Sequence, residues 1–292
     1  MAQATTDDGV RLYYEETGAG APIVFVHEFA GDIRSYEPQV RYFSRRYHCI
    51  AYNARGYPPS DVPEDVESYS QERARDDIRS VLDALKIDKA HIVGVSMGGF
   101  AVLHFGFTYP ERALSLVVAG CGYGAEPNKR QEFADQALRT AAEIAEKGMA
   151  EVSKTFGDGP AFVQYRNKDP RGYAVFRAQL AEHSSLGSAN TRRGVQARRR
   201  SLWDLIDKMT ALHVPTLIAT GDEDDPCLEP GLLMKRHIKS AALVVLPNTG
   251  HALNLEEPDL FNRFCDDFFH QVESERWPLR DPHAVVGAIF GM

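Results

Sequence analysis

Residues 90–108 leave the backbone little freedom. The apolar run Ala90-His91-Ile92-Val93 reads as a buried strand and residues 100–108 read as helix, with only Gly94-Val95-Ser96-Met97-Gly98-Gly99 to join them. A strand-to-helix turn this tight holds its central residue at a strained φ/ψ. It also demands small residues two before and two after that centre, because backbone closes on backbone there. Gly94 and Gly98 meet the demand. The backbone N–H groups that open the helix then face the same point as the Ser96 hydroxyl, where they can bind an oxyanion.

The rest of the chain repeats the strand–helix rhythm. Short apolar runs at residues 23–26, 48–52, 113–120, 215–220 and 243–246 are continuous rather than alternating, which suits strands buried on both faces of a parallel sheet. An additional strand is expected at 10–15, and helices at 36–46, 71–85 and 259–272. From Gly122 to Leu212 the rhythm breaks into helical patterns alone, at 130–147, 150–156, 173–183 and 191–208. The expected fold class is therefore α/β, a mostly parallel sheet flanked by helices. Residues 1–121 and 213–273 form the core and 122–212 a helical cap over the carboxyl edge, where open α/β sheets bind ligands. The tail 274–292 ends in the apolar run 285–290, which should dock on its own core or on a second copy as a homodimer.

Composition narrows the function classes. A net charge of -8 and the absence of a recurring basic stripe argue against nucleic acid, and the local basic run 192–200 reads as a solvated helical face. No stretch has the length of a membrane span or the layout of a signal peptide, so a cytoplasmic protein acting on a small-molecule substrate is expected. Cys49, Cys121, Cys227 and Cys265 show no metal-ligand spacing, and neither metal nor cofactor is expected. They read as small buried thiols, although Cys121 and Cys227 fall near the expected site loops.

A serine hydroxyl is a poor nucleophile unless a histidine takes its proton and a carboxylate holds that histidine. Late strands supply both. The strand at 215–220 runs into Gly221-Asp222-Glu223-Asp224-Asp225-Pro226, and that at 243–246 runs into Pro247-Asn248-Thr249-Gly250-His251. The expected triad is Ser96, Asp224 and His251, with Asp225 as the alternative carboxylate and Asp222 a distant third. The amides of Phe29 and Met97 are the expected oxyanion donors. His27, Glu28, Tyr57, Tyr123 and Trp203 are candidates for the substrate pocket, with Phe162 and Tyr165 as further aromatic lining, and His27 reads first as a structural hydrogen-bonding residue that shapes its loop.

His27 with Phe29, Arg55-Gly56-Tyr57 with Ser60-Asp61, the Ser96 turn, Gly221 to Asp224, and Gly250-His251 together resemble the α/β-hydrolase superfamily, in its serine-nucleophile, carboxylesterase-like form with a helical cap. The resemblance extends to about Glu273. It departs at Glu28, where the family usually has glycine. Either the loop differs locally or the position takes ordinary φ/ψ, and the carboxyl is then orienting or structural before it is catalytic. The segment 55–61 also resembles a loop of epoxide hydrolases and haloalkane dehalogenases, but serine attack on an alkyl carbon leaves an unhydrolysable ether. Acyl carbon is the expected target, and a carboxylic ester the expected substrate.

Related triads also cleave carbon–carbon bonds and enol-lactones, perform perhydrolysis, or serve as ligand receptors. An anionic carbon–carbon or enol-lactone substrate would be matched by an inward guanidinium from Arg192, Arg193 or Arg198.

Overall fold

The computed structural model describes residues 2–281, 283 and 284. Eight strands form one sheet: β1 (Gln3–Thr5), β2 (Arg11–Thr17), β3 (Pro22–Val26), β4 (His48–Tyr52), β5 (Ala90–Val95), β6 (Ala113–Ala119), β7 (Thr216–Gly221) and β8 (Ala241–Leu246). Their order is β1-β2-β4-β3-β5-β6-β7-β8. Pairings β1/β2 and β2/β4 are antiparallel and all others parallel. The chain passes from β3 outward to β4, then crosses back to β5 on the other side of β3. The crevice at the carboxyl ends of β3 and β5 is thus the point where strand order reverses, the place where such sheets bind ligands.

The apolar strands are buried on both faces because helices cover both. Val24, Val26 and Ile92 pack with Ile78, Val81 and Leu82 of the helix Gln71–Ala84 and with Phe100 and Leu103 of the helix Met97–Thr108. The alternate residues Ile23, Phe25, Val93 and Val95 pack on the other side with Phe43, Phe268 and Phe269. Two-residue alternation along each strand therefore feeds two separate cores.

Between β6 and β7 the described residues contain no strand. Helices Arg130–Lys147, Met149–Phe156, Val163–Lys168, Pro170–Ala181 and Ser185–Thr191 cross over the carboxyl edge. Ile144, Val152, Phe176 and Leu180 make a third cluster there with Phe29, Tyr57 and Met97 from the sheet-edge loops. The helix expected at 191–208 does not exist as one element. The helix Ser185–Thr191 widens into a π turn over Arg192–Gln196, where the Ala197 N–H reaches back to the Arg192 carbonyl at 2.8 Å. Gly194 lies in that turn against the Tyr69 carbonyl, where a Cβ would come within 2.2 Å. Ser201 then caps a new short turn through its hydroxyl. Among the elements that the sequence reading omits are β1 and the helices Val163–Lys168, Ser185–Thr191, Asp225–His237 and Leu253–Glu256.

The start of the tail returns to its own core. The Trp277 indole N–H donates to the Ser240 carbonyl at 2.7 Å, its ring meets Phe268 edge-on, and the Arg280 N–H donates to the Lys239 carbonyl. The apolar run 285–290 lies outside the described residues.

Beneath the segment 55–61, the Arg55 guanidinium, 4% exposed, pairs with Asp77 at 2.7 Å and with Asp8 at 2.8 Å. Breaking a buried pair leaves an uncompensated charge, so Asp77→Ala should lower stability by about 3–5 kcal/mol. Urea denaturation should read this as a lower midpoint at constant slope. Glu143→Ala, which removes the solvent-exposed partner of Lys147, should leave the midpoint in place.

Candidate active site

Ser96 sits at φ 54°, ψ -114°, between the last residue of β5 and the first of the helix Met97–Thr108. Such a conformation costs about 1–3 kcal/mol and needs its surroundings to hold it. The Ser96 N–H donates to the Ala119 carbonyl at 2.8 Å, and its carbonyl accepts from Phe100. Gly98 lies so near β3 that a Cβ would meet the Val26 carbonyl oxygen at 1.9 Å, and one on Gly94 would meet Gly98 itself at 2.4 Å.

His251 Nε2 lies 2.8 Å from Ser96 Oγ, and its Nδ1 lies 2.8 Å from Asp224 Oδ2. An ionised carboxylate only accepts, so Nδ1 carries the proton and Nε2 offers its lone pair to the serine hydroxyl. Burial disfavours the imidazolium, yet the Asp224 carboxylate outweighs it and holds the His251 pKa above its ordinary value of 6.5. Burial likewise raises Asp224, but His251 overrides this and leaves it below the usual carboxylate value. Asp225 is exposed at the start of the helix Asp225–His237. Exposed Asp222 accepts from the Thr249 N–H at 3.0 Å and ties the two loops together.

One residue of this arrangement escapes the sequence reading. Glu256, 6% exposed, accepts from the Gly250 N–H at 2.7 Å and the Ala252 N–H at 3.2 Å, the two peptides that flank His251. Its only signal is position, five residues after the histidine in a helix too short to register as a pattern.

The loop after β3 is held from below. His27 Nδ1–H donates to the Glu28 carbonyl at 2.7 Å and Nε2 accepts from the Ala54 N–H at 3.0 Å, so both ring nitrogens are occupied within the loop. Burial lowers its pKa to about 4 and keeps it neutral. The Tyr57 hydroxyl donates to the Phe29 carbonyl at 2.9 Å. Neither the Phe29 N–H nor the Met97 N–H, at the first helical position, has a backbone acceptor among the described residues. Glu28 is absent from the residues with positive φ, so the position takes ordinary backbone geometry. Its Oε1 accepts from the Ser35 hydroxyl at 3.0 Å, Oε2 is buried without a partner, and burial raises its pKa. Gly31 makes the room, since a Cβ there would lie 2.2 Å from Glu28 Oε1.

A cavity of about 320 Å³ opens over Ser96 and His251, with Glu28, Phe29, Tyr123 and Phe162 in its wall. Four expected lining residues are elsewhere. His27 and Tyr57 border a separate space of about 30 Å³ together with Met97, because their polar atoms are committed to the loop backbone. Trp203 packs on the core beside the short turn that Ser201 caps. Tyr165 lies on a different surface depression.

The basic run 192–200 is not a solvated face. Arg192 and Arg199 are 8% and 3% exposed and both reach the cavity wall. The Arg192 guanidinium stacks 4.0 Å over the Phe29 ring, and that of Arg199 stacks 3.7 Å over Phe100 while donating to the Tyr123 carbonyl. Among the described residues no carboxylate lies within ion-pair distance of either. Burial lowers both to about 10, which leaves them charged at neutral pH. Arg198 is exposed and paired with Glu67, and Arg193 reaches Asn190. Arg199 is missed by the sequence reading because helical spacing alone does not show that the π turn rotates it inward.

A nitrogen NMR titration should place the His251 pKa above 6.5. Asp224→Asn removes the carboxylate that favours the imidazolium and leaves the burial that opposes it. Its His251 pKa should therefore fall, and an unmoved titration would contradict the assigned coupling.

A family model described as alpha/beta hydrolase fold matches residues 21–258. The chain is 27% identical to 3-oxoadipate enol-lactonase 1 of Acinetobacter baylyi (strain ATCC 33305 / BD413 / ADP1), over 86% of this chain and 89% of that protein. It is 28% identical to 2-hydroxy-6-oxo-6-phenylhexa-2,4-dienoate hydrolase of Burkholderia cepacia, over 88% and 91% respectively. A thermophilic esterase from Thermogutta terrifontis superposes with a TM-score of 0.81 at 24% identity, covering 93% of this chain and 98% of its own. With the strand order, the Ser96 turn and these matches in hand, the chain belongs to the α/β-hydrolase fold family and is a hydrolase.

Proposed function

We propose that the protein is a serine hydrolase that cleaves an acyl bond, as an ester or enol-lactone, through an acyl-enzyme intermediate. The observation that carries this reading is the unbroken hydrogen-bond chain from Asp224 through His251 to Ser96, two links of 2.8 Å. Ser96 Oγ attacks the carbonyl carbon while His251 Nε2 takes its proton, and the amides of Phe29 and Met97 bind the developing oxyanion. His251 then returns the proton to the leaving oxygen. Water, deprotonated by the same nitrogen, attacks the acyl-enzyme and releases the acid.

The two buried guanidinium groups favour a substrate that carries a carboxylate of its own. A desolvated cation without a partner is unfavourable, and a bound carboxylate supplies what the fold withholds. Arg192, stacked beside the Phe29 that closes the oxyanion site, is the residue this reading places on that carboxylate. The substrates for which the two relatives are named, an oxoadipate enol-lactone and a dienoate, are consistent with it. Such an anion also admits carbon–carbon hydrolysis of a vinylogous diketo acid at the same serine.

Three measurements test the proposal. Ser96→Ala should abolish turnover of para-nitrophenyl butyrate and of every carboxylate-bearing ester or enol-lactone in a panel, with its circular dichroism unchanged. Persisting turnover would sink the nucleophile assignment. Arg192→Leu should lower kcat/KM for a carboxylate-bearing ester by about 30-fold or more while its methylated counterpart suffers far less, since truncating one side of a buried charge pair costs about 2 kcal/mol or more. Equal losses on both esters would remove the anion from the reading. Glu256→Ala should lower kcat about 100-fold, as misplacing a reacting group by an ångström does. Glu256→Gln, which keeps one acceptor oxygen, should recover part of it.

A further inference from the structure

Behind the imidazole, on the side away from Ser96, lies a thiol that the hydrolytic scheme does not use. Cys227 stands in the first turn of the helix that follows Asp224, and the fold of that turn is set by the Cys227 N–H donating to the Asp224 carbonyl at 2.8 Å. Gly122 packs so closely on this turn that a Cβ would lie 2.4 Å from Cys227 Cα. The turn therefore presents the thiol toward Asp224 and His251. One ligand atom from each of Asp224, Cys227 and His251 falls within 4.8 Å of the other two, and all three residues are buried. Asp224 is 1% exposed, and its Oδ1 has no hydrogen-bond partner among the described residues. Cys227 and Tyr123 lie near enough to help hold the Asp224 pKa down, but neither reaches Oδ1 with hydrogen-bonding geometry.

A carboxylate oxygen, an imidazole nitrogen and a thiol sulfur in one small buried volume are the donor set of a tetrahedral, borderline-soft cation, and an unfilled acceptor already points among them. We propose that Cys227, Asp224 and His251 form an inhibitory binding site for a soft divalent cation of the zinc or cadmium type. On binding, His251 Nδ1 gives up the proton it shares with Asp224, and Cys227 gives up its thiol proton. The thiol proton leaves to solvent, and the imidazole stays neutral by changing tautomer, its proton passing from Nδ1 to Nε2 as the three donor atoms close on the metal. No oxidant or reductant is involved. The imidazole keeps its orientation, but Nε2 now carries the proton and has no lone pair with which to take the one on Ser96. The inhibition rests on the reading of His251 as the base, whereas the binding does not. Because a thiol proton must leave for the metal to bind, the metal competes with protons, and its grip should weaken as pH falls.

The full-length protein, stripped with chelator, is titrated with zinc during hydrolysis of para-nitrophenyl butyrate and, separately, with cadmium while thiolate-to-cadmium charge-transfer absorbance is followed. Zinc should inhibit at micromolar concentration, with recovery on adding EDTA. Cys227→Ala should raise the half-inhibiting concentration by at least about 100-fold, beyond the loss that even an outer-shell partner causes. Cys121→Ala should not. One equivalent of cadmium should produce the absorbance in wild type and in Ser96→Ala, and none in Cys227→Ala. Should Cys227→Ala fold poorly, Cys227→Val fills the same space and must give the same result. Equal zinc inhibition with and without the thiol, no inhibition of wild type, or cadmium absorbance that survives loss of Cys227 would each overturn the site. A wild type that binds cadmium through Cys227 but hydrolyses no ester would instead overturn the serine-hydrolase reading and leave the metal site standing.

Discussion

Where β5 becomes helix, peptide groups touch with no side chain between them. Gly98 rests on the carbonyl of Val26, at the end of β3, and Gly94 rests on Gly98. These contacts fix how far the loop after β3 stands from Ser96, and with it the separation of the Phe29 and Met97 amides. The same device recurs across the sheet, where Gly221 closes on the Thr249 carbonyl and holds the loop of Asp224 against the loop of His251. Hydrogen-bond lengths of 2.8 Å along the triad follow from two backbone approaches that tolerate no Cβ. Side-chain chemistry here is set by main-chain geometry.

The electrostatics of the cavity are asymmetric. On one side the negative Asp224 is spent on His251, and Glu28 is pushed by burial toward its neutral form, so neither offers a free anion to the space above Ser96. On the other side two guanidinium groups lie on aromatic faces, each stacking contact worth about 2 kcal/mol when desolvated. That is less than the several kcal/mol that desolvating a cation costs. The fold thus sets a positive wall on one side of the cavity and a charge-balanced Asp224–His251 pair on the other.

Much of this was legible in sequence because the rules involved are local. Small residues around Ser96, continuous apolar runs, and acid and histidine in loops after late strands each declare themselves within a few residues, and all reappear in the fold. What sequence hid depended on contacts distant along the chain. Tyr57 looks like a pocket residue until the backbone carbonyl that takes its hydroxyl proton is seen, whereas His27 holds its loop through both ring nitrogens, as its place suggests. Glu256 acts through peptides rather than through a motif, and the inward turn of Arg199 follows from a π turn that no apolar period encodes. The Glu28 departure had a compensating signal three residues on, at Gly31, legible only once the two are known to touch.

The π turn at Arg192–Gln196 has a consequence for how such a pocket changes over generations. A π turn is one residue more than a helix needs, so the segment stores a spare register position. Losing that residue would rotate the remainder of this helical segment by about 100° on the helical wheel. Arg199 would swing off the Phe100 ring, while the Ser96 turn and the strands would be untouched. The cavity wall and the Ser96 turn are therefore set by parts of the chain that can drift separately. A single deletion outside the sheet is enough to strip a charge from that wall while leaving the hydrogen-bond chain from Asp224 to Ser96 as it is.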